Sequence, residues 1–170
     1  MKSLNAVVSL VAILALRGER QDSSVCSLLT ATDIEAATGI KPGNGVPGGY
    51  SAGAGQAVRM CSWPVPAQRG QLSLSAAPLA PGMSAATLGK QNAGMDALRK
   101  AKYTEESRQV GDMYCSVMTP PASKKDGVIM SACTAGVKGT VLSFAYISPT
   151  KKIALDQAKA LMDKAVSRQR

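Results

Sequence analysis

Polar and apolar residues alternate with a period of two along much of the chain, which is typical of strands with one buried face. In residues 71–77, for example, leucines alternate with glutamine and serines. The strands predicted from this pattern span residues 58–63, 71–77, 112–118, 128–134 and 140–147. Turn residues separate them, so we predict an antiparallel sheet of about five strands in two hairpin or meander groups.

The first helix is predicted from its capping residues rather than from a long apolar stripe. Thr30 is suited to the N-cap and Asp33 to the third helical position, which together form a capping box. Leu29 and Ile34 have the spacing of a hydrophobic staple. Gly39 is suited to the left-handed position that ends a helix. We therefore predict a helix of about two turns.

Two further helices are indicated by a 3.6-residue spacing of apolar positions. Ser84 is suited to cap a middle helix that continues to about Lys100. Ser148 and Pro149 are suited to begin a C-terminal helix with one apolar and one basic face. N-terminal, middle and C-terminal helices packed on an antiparallel sheet define an α+β fold.

The N-terminal residues 1–25 are predicted to be a targeting segment. Lys2 precedes the apolar run 4–16, which is too short to cross a hydrocarbon layer of about 30 Å comfortably. We therefore expect an exported protein, periplasmic or extracellular, whose mature chain has no stable transmembrane span. The length and composition of residues 26–170 indicate a single globular domain.

The chain has four cysteines and no histidine. The cysteines are Cys26, Cys61, Cys115 and Cys133. An even number in an exported chain favours two disulfides, for which three connectivities are possible. No C-x-x-C spacing and no histidine accompany them, so we predict no metal site and no cofactor.

Two cysteine motifs carry a resemblance to a known group of proteins. The sequence C-S-L-L-T at Cys26 and the sequence C-S-W at Cys61 resemble the signatures of small exported bacterial domains of unknown function, many of them lipoproteins, known mostly from actinobacteria. The resemblance covers the first third of the chain and implies a bond between Cys26 and Cys61, which leaves Cys115 for Cys133. This chain departs from the lipoprotein pattern because Val25 precedes the first cysteine. The resemblance implies no activity.

Two short motifs match catalytic or nucleotide-binding patterns only in spacing. The stretch GNGVPG at 43–48 follows a helix and precedes a strand, whereas a dinucleotide fingerprint joins a strand to a helix. We interpret residues 41–57 as a flexible surface loop. The S-x-x-K sequence at 148–151 matches the nucleophile motif of penicillin-recognising enzymes without their other motifs, and we interpret it as a helix cap.

Few residues are left for catalysis. Without histidine or free thiols there is no Ser-His-Asp triad and no Cys-His pair. The adjacent carboxylates Glu105 and Glu106 are predicted to point to opposite faces of an extended segment. We therefore predict no catalytic residues, and a small carboxylate-dependent hydrolase is the alternative hypothesis.

The charge balance favours a binding role. Residues 26–170 carry 17 Lys and Arg and nine Asp and Glu, a net charge of +8. An envelope protein or an anionic surface is the predicted partner, whereas the exported location and the lack of a reading motif argue against nucleic acid. We interpret Trp63 as a core residue. The sequence predicts an exported, non-catalytic binding or structural module of the bacterial cell envelope, with an unknown ligand.

Overall fold

The computed structural model describes residues 24–52 and 56–169, which form one antiparallel sheet with helices on both faces. The strands are β1 (Val46–Ala52), β2 (Gln56–Val65), β3 (Gly70–Pro78), β4 (Thr104–Val110), β5 (Met113–Thr119), β6 (Ile129–Val137) and β7 (Thr140–Ser148). The helices are α1 (Ser24–Leu28), α2 (Ala31–Thr38), α3 (Ala85–Lys90), α4 (Ala93–Lys100) and α5 (Leu155–Gln169). Within the described ranges, no helix is both long and apolar enough to cross a membrane.

The sheet has seven strands in the order β1-β2-β3-β7-β6-β5-β4, so the prediction of about five strands was wrong. The two strands that the pattern missed, β1 and β4, are the edges of the sheet. An edge strand pairs on one side only and tolerates proline and charged residues. Strand β1 contains Pro47 and β4 is polar on both faces, so neither shows the alternation that predicts a strand.

One face of the sheet, called here the core face, packs against α1, α2 and α5. Its large side chains include Trp63, Phe144 and Tyr146, each no more than 1% exposed. The prediction that Trp63 belongs to the core is therefore confirmed. The opposite face, called here the groove face, packs against α3 and α4 over β5 and β6.

Helix α2 has the predicted caps. The Thr30 side chain accepts a hydrogen bond from the Asp33 N–H, and the Asp33 carboxylate accepts one from the Thr30 N–H. Gly39 ends the helix with a φ of 63°, in the left-handed region. Residues within one turn of each other make these contacts, which is why local sequence predicted them.

Both disulfides lie on the core face. Cys26 in α1 is bonded to Cys61 in β2, and Cys115 in β5 is bonded to Cys133, its direct neighbour across the strand pair in β6. The first bond attaches α1 to the sheet, and the second joins two central strands. These are the pairings that the resemblance implies.

The middle and C-terminal helices differ from their predictions. The middle segment breaks into α3 and α4 because Asn92 caps a new helix, its side chain accepting the Gly94 N–H. The C-terminal helix begins at Leu155 rather than at Ser148, whose hydroxyl donates to the Gln68 carbonyl at 2.8 Å. Ile153, which lies between Ser148 and Leu155 in the sequence, is fully buried, and its N–H donates to Ser131 Oγ at 3.1 Å. These long-range contacts keep residues 149–154 out of the helix.

The interpretation of residues 41–57 as a flexible loop was wrong for most of that segment. Strand β1 pairs with β2 along its length, and the Gly43 N–H donates to the Pro64 carbonyl at 2.8 Å. A Cβ atom on Gly45 would lie 2.7 Å from Trp63 Nε1 and 2.9 Å from Cys61 Sγ. The glycine therefore permits the close approach of this segment to the first disulfide. Residues 53–55 lie outside the described residues.

Candidate functional site

Helices α3 and α4 cover the groove face only in part. Met95 of α4 and Tyr103, just after this helix, pack on Met118 of β5 and form a small cluster separate from the main core, with Met130 of β6 beside it. Helix α3 packs so closely on the sheet that a Cβ atom on Gly89 would lie 3.1 Å from Thr134 Cβ. Toward β1 the described residues leave this face open, and Tyr50 is 61% exposed. The helices therefore form a wall along one side of the face.

A cavity of about 340 Å³ lies between this wall and the sheet. Ser116, Ala132 and Ala145, from β5, β6 and β7, form part of its floor, and Met95 and Leu98 of α4 line its wall. No charged side chain is among the described residues that line it. The cavity falls in the size range of small-molecule sites, which are concave and mostly apolar with a few polar groups.

Ser116 is the most informative polar group in the cavity. The residue is 1% exposed, and within the described ranges its Oγ has no hydrogen-bond partner. Leaving a buried hydroxyl without a partner costs about 1–3 kcal/mol. Gln68 Oε1 and Tyr146 Oη are also buried without partners, but neither residue lines this cavity. The Ser116 hydroxyl can donate a hydrogen bond to a molecule in the cavity or accept one from it.

An ion-pair network holds α4 against the sheet at the edge of the cavity. Arg99 Nε donates to Glu105 Oε2 at 2.7 Å, and the Tyr114 hydroxyl donates to Glu105 Oε1 at 2.6 Å. The hydrogen bond from Arg99 lowers the pKa of Glu105 against the opposing effect of burial, with a further contribution from Tyr114. Burial, together with the bond to this carboxylate, raises the pKa of Tyr114. Glu105 is therefore an ionised structural group and is unsuited to donate a proton.

Asp112 fixes the position of α3. Its Oδ1 accepts hydrogen bonds from the Ser84 hydroxyl at 2.6 Å and from the Ala86 N–H at 3.0 Å. Burial alone would raise the pKa of Asp112, but these hydrogen bonds outweigh it and the pKa is lowered. Gly136 leaves room for this carboxylate, because a Cβ atom there would overlap Asp112 Oδ2.

The carboxylates singled out in the sequence do not converge on the cavity. As predicted, Glu105 and Glu106 point to opposite faces of an extended segment: Glu105 pairs with Arg99, and Glu106 pairs with Lys152 at 3.4 Å. No carboxylate is among the described residues that line the cavity. A hydrolase of the predicted type needs two converging carboxylates, so the geometry of this cavity does not favour that alternative.

The other residues singled out in the sequence lie away from the cavity. The cysteines are on the core face, and the Ser148 hydroxyl of the S-x-x-K sequence is bonded to Gln68 and accepts the Lys151 N–H. Among the described residues, no cluster of three metal-ligating side chains occurs.

Four cations of the predicted basic C-terminal segment make ion pairs, two of them with the same carboxylate. The pairs are Lys152–Glu106, Lys159–Asp163, Lys164–Asp33 and Arg168–Asp33. Each pair reduces the charge that the segment presents to an anionic surface. An anionic partner stays a prediction from the net charge.

Sequence reasoning missed Ser116 and the cavity. Ser116, Ala132 and Ala145 lie on three strands and become neighbours only through the register of the sheet. The available signal was the position of small residues on the strand face opposite the large core residues. These small residues can be recognised as one site only when the strand order is known.

Comparisons with known proteins identify a similar fold but do not assign the chain to a family. Neither protein-family models nor curated proteins match the sequence. Among solved structures, the extracellular domain of PknH from Mycobacterium tuberculosis is similar, with 12% sequence identity and a TM-score of 0.56 over 84% of this chain and 92% of that chain. The likeness shows a shared fold.

Proposed function

We propose that this chain is an exported, non-catalytic binding module of the bacterial cell envelope that holds a small ligand in the cavity between α4 and the sheet. The observation that carries the proposal is the buried Ser116 hydroxyl, which has no hydrogen-bond partner among the described residues and lines a mostly apolar cavity. A ligand with a hydrogen-bonding atom would satisfy this hydroxyl.

The exported location is supported by two independent features. Structural disulfides persist in oxidising compartments, and both bonds of this chain lie in or against its core. The similar fold of PknH occurs in an extracellular domain. The resemblance of the cysteine motifs to exported bacterial domains agrees with this location. Membership in that group remains part of the proposal.

Native mass spectrometry of protein purified from its own cell envelope tests the binding role. We expect a small molecule to be retained by the wild-type protein and lost from the variant Ala132→Phe, whose side chain fills the floor of the cavity. The matched control is Ala160→Phe, at an exposed position of α5. Absence of a retained molecule, together with no binding of any probe to the cavity, would contradict the proposal. Equal retention by both variants would place the ligand elsewhere.

A further inference from the structure

A row of small residues crosses the groove face at right angles to the strands. The strand register places Ser116 beside Ala132, Ala132 beside Ala145, and Ala145 beside Ser73. Ser73 is in turn beside Ser62 in β2. We call this row the furrow. It spans five strands, or ~19 Å at the usual spacing between neighbouring strands.

Larger side chains border the furrow on both sides over β5 and β6, and on one side over β7. Met118, Met130 and Ile147 are neighbours in the next row on one side. Tyr114 and Thr134 begin the row on the other side, which continues over β7 and β3 with the small residues Ser143 and Ser75. The sheet surface is therefore lowered between two rows over β5 and β6, and it opens toward Ser143 and Ser75 over β7 and β3. The cavity occupies the end nearest β5, and the furrow continues past it onto β3 and β2.

The described part of the chain does not fully cover the apolar surface beside the inner half of the furrow. Ile147 is 43% exposed and Val128 is 37% exposed, and both line the cavity. Exposed large apolar side chains at the mouth of a concave site are typical of a surface that a ligand covers.

The lining restricts the charge of the ligand. The described residues that line the cavity carry no charge. Of the cations nearby, Arg99 is already bonded to Glu105 and Asp96, and Lys90 Nζ lies over the Tyr114 ring, 5.8 Å from its centre. Burying an unpaired charge here would be unfavourable. Ser116 offers one hydrogen bond, which an uncharged hydroxyl or carbonyl oxygen can complete.

Building on the proposed function, we propose that the furrow binds an elongated, uncharged, lipid-like molecule. An oxygen atom at one end of the ligand hydrogen-bonds to Ser116, and its alkyl chain lies along the furrow across β6, β7 and β3. The length of the furrow and its open side over β7 and β3 favour a chain over a compact ring system. The apolar wall formed by Met95 and Leu98 covers the inner part of the chain.

Three probes in equilibrium dialysis with the purified, oxidised protein test the ligand class. Oleyl alcohol has a long chain and one hydroxyl group, oleate has a comparable chain with a charged carboxylate, and octanol has a shorter chain. We expect oleyl alcohol to bind at least about 10-fold more tightly than either of the others, because charge burial penalises oleate and octanol buries less apolar surface. Equal or tighter binding of oleate or octanol would overturn the proposal, as would no binding of oleyl alcohol.

Two variants test the placement of the ligand. Ser116→Ala should weaken oleyl alcohol binding by about 5–10-fold through the lost hydrogen bond, while the stability of the free protein stays equal or rises. Ser73→Leu, which fills the furrow beyond the cavity, should weaken oleyl alcohol but leave octanol unchanged. The control is Gln71→Leu, an exposed position in the bordering row. Identical effects of the two leucine variants, or unchanged binding in Ser116→Ala, would overturn the placement.

The outcomes also separate this inference from the proposed function. If native mass spectrometry finds a compact or charged molecule that Ala132→Phe removes, the binding role stands and the lipid-like ligand is wrong. If the protein dimerises in a manner that Ser73→Leu abolishes, and oleyl alcohol does not bind, the face is occupied by a second copy and the inference is overturned.

Discussion

Asp33 shows how one buried carboxylate joins two helices at opposite ends of the described chain. Its side chain is 7% exposed and pairs with Lys164 Nζ at 2.6 Å and with Arg168, both on α5. Burial alone would raise the pKa of Asp33, but the hydrogen bonds from Arg168, Lys164 and Thr30 outweigh it, so the pKa lies below its ordinary value. The capping role of Asp33 was predictable from local sequence, whereas its partners on α5 were not.

Replacing Asp33 with asparagine should reduce stability by roughly 2 kcal/mol at neutral pH, because the charge-assisted hydrogen bonds to α5 are weakened. The lowered pKa means that Asp33 stabilises the fold above the ordinary value of 3.8 and loses this contribution as the pH falls further. Denaturant melts should therefore show a steeper loss of stability below about pH 4 in the wild type than in Asp33→Asn. The control Asp163→Asn, in an exposed pair with Lys159, should cost less than about 1 kcal/mol. Parallel pH profiles for wild type and Asp33→Asn would contradict this account.

Gly45 has a packing role that its motif did not reveal. The substitution Gly45→Ala should destabilise the protein by roughly 1–3 kcal/mol, because the new Cβ would overlap Trp63 Nε1 and Cys61 Sγ. Gly48→Ala in the same segment is the control, since its Cβ would have no neighbour closer than 4.0 Å. Thermal melts measure both, and equal stability of the two variants would refute the packing role.

At the scale of elements, the sequence was informative where local pattern and tertiary packing agree. The central strands alternate because each has one face in the core, and α2 carries its own caps. Edge strands β1 and β4 lack that pattern, and their extended form follows from pairing with β2 and β5. The start of α5 was displaced for a similar reason, because Ser148 and Ile153 have partners far away in sequence.

The disulfide between β5 and β6 should stabilise the fold without contributing to the furrow. Its sulfurs lie on the core face, whereas Ser116 faces the opposite side of the same strand. Replacing Cys115 and Cys133 together with serine should cost about 2–4 kcal/mol in denaturant melts and leave oleyl alcohol binding at low temperature unchanged. Loss of binding with an unchanged melt would show instead that the cysteines are functional.

Across the whole molecule, the two faces of one sheet have different tasks. The core face has large buried side chains and both disulfides, while the groove face combines small residues with a wall that covers only part of it. The α+β class was predictable from the order of elements. The furrow was not predictable, because it depends on the strand order β2-β3-β7-β6-β5, which brings together residues far apart in sequence.

The position of the predicted targeting segment leads to a further prediction about the mature chain. The segment lies outside the described residues apart from Ser24 and Val25, and Val25 is buried in the core at 2% exposure. Cleavage after residue 25 would remove a core side chain, so we expect the exported protein to begin at or before Val25. N-terminal sequencing of the secreted or periplasmic protein measures this, and an intact Met1 on a cytosolic product would contradict export.

The most direct test of the binding account is a map of backbone amide shifts in isotope-labelled protein titrated with oleyl alcohol. The account predicts shifts that saturate together at Ser116, Ala132, Ala145 and Ser73, with amides of the outer face of α5 unchanged. This pattern would place an elongated ligand along the furrow. Shifts confined to α5, or no saturable shift in β5, β6 and β7, would contradict it.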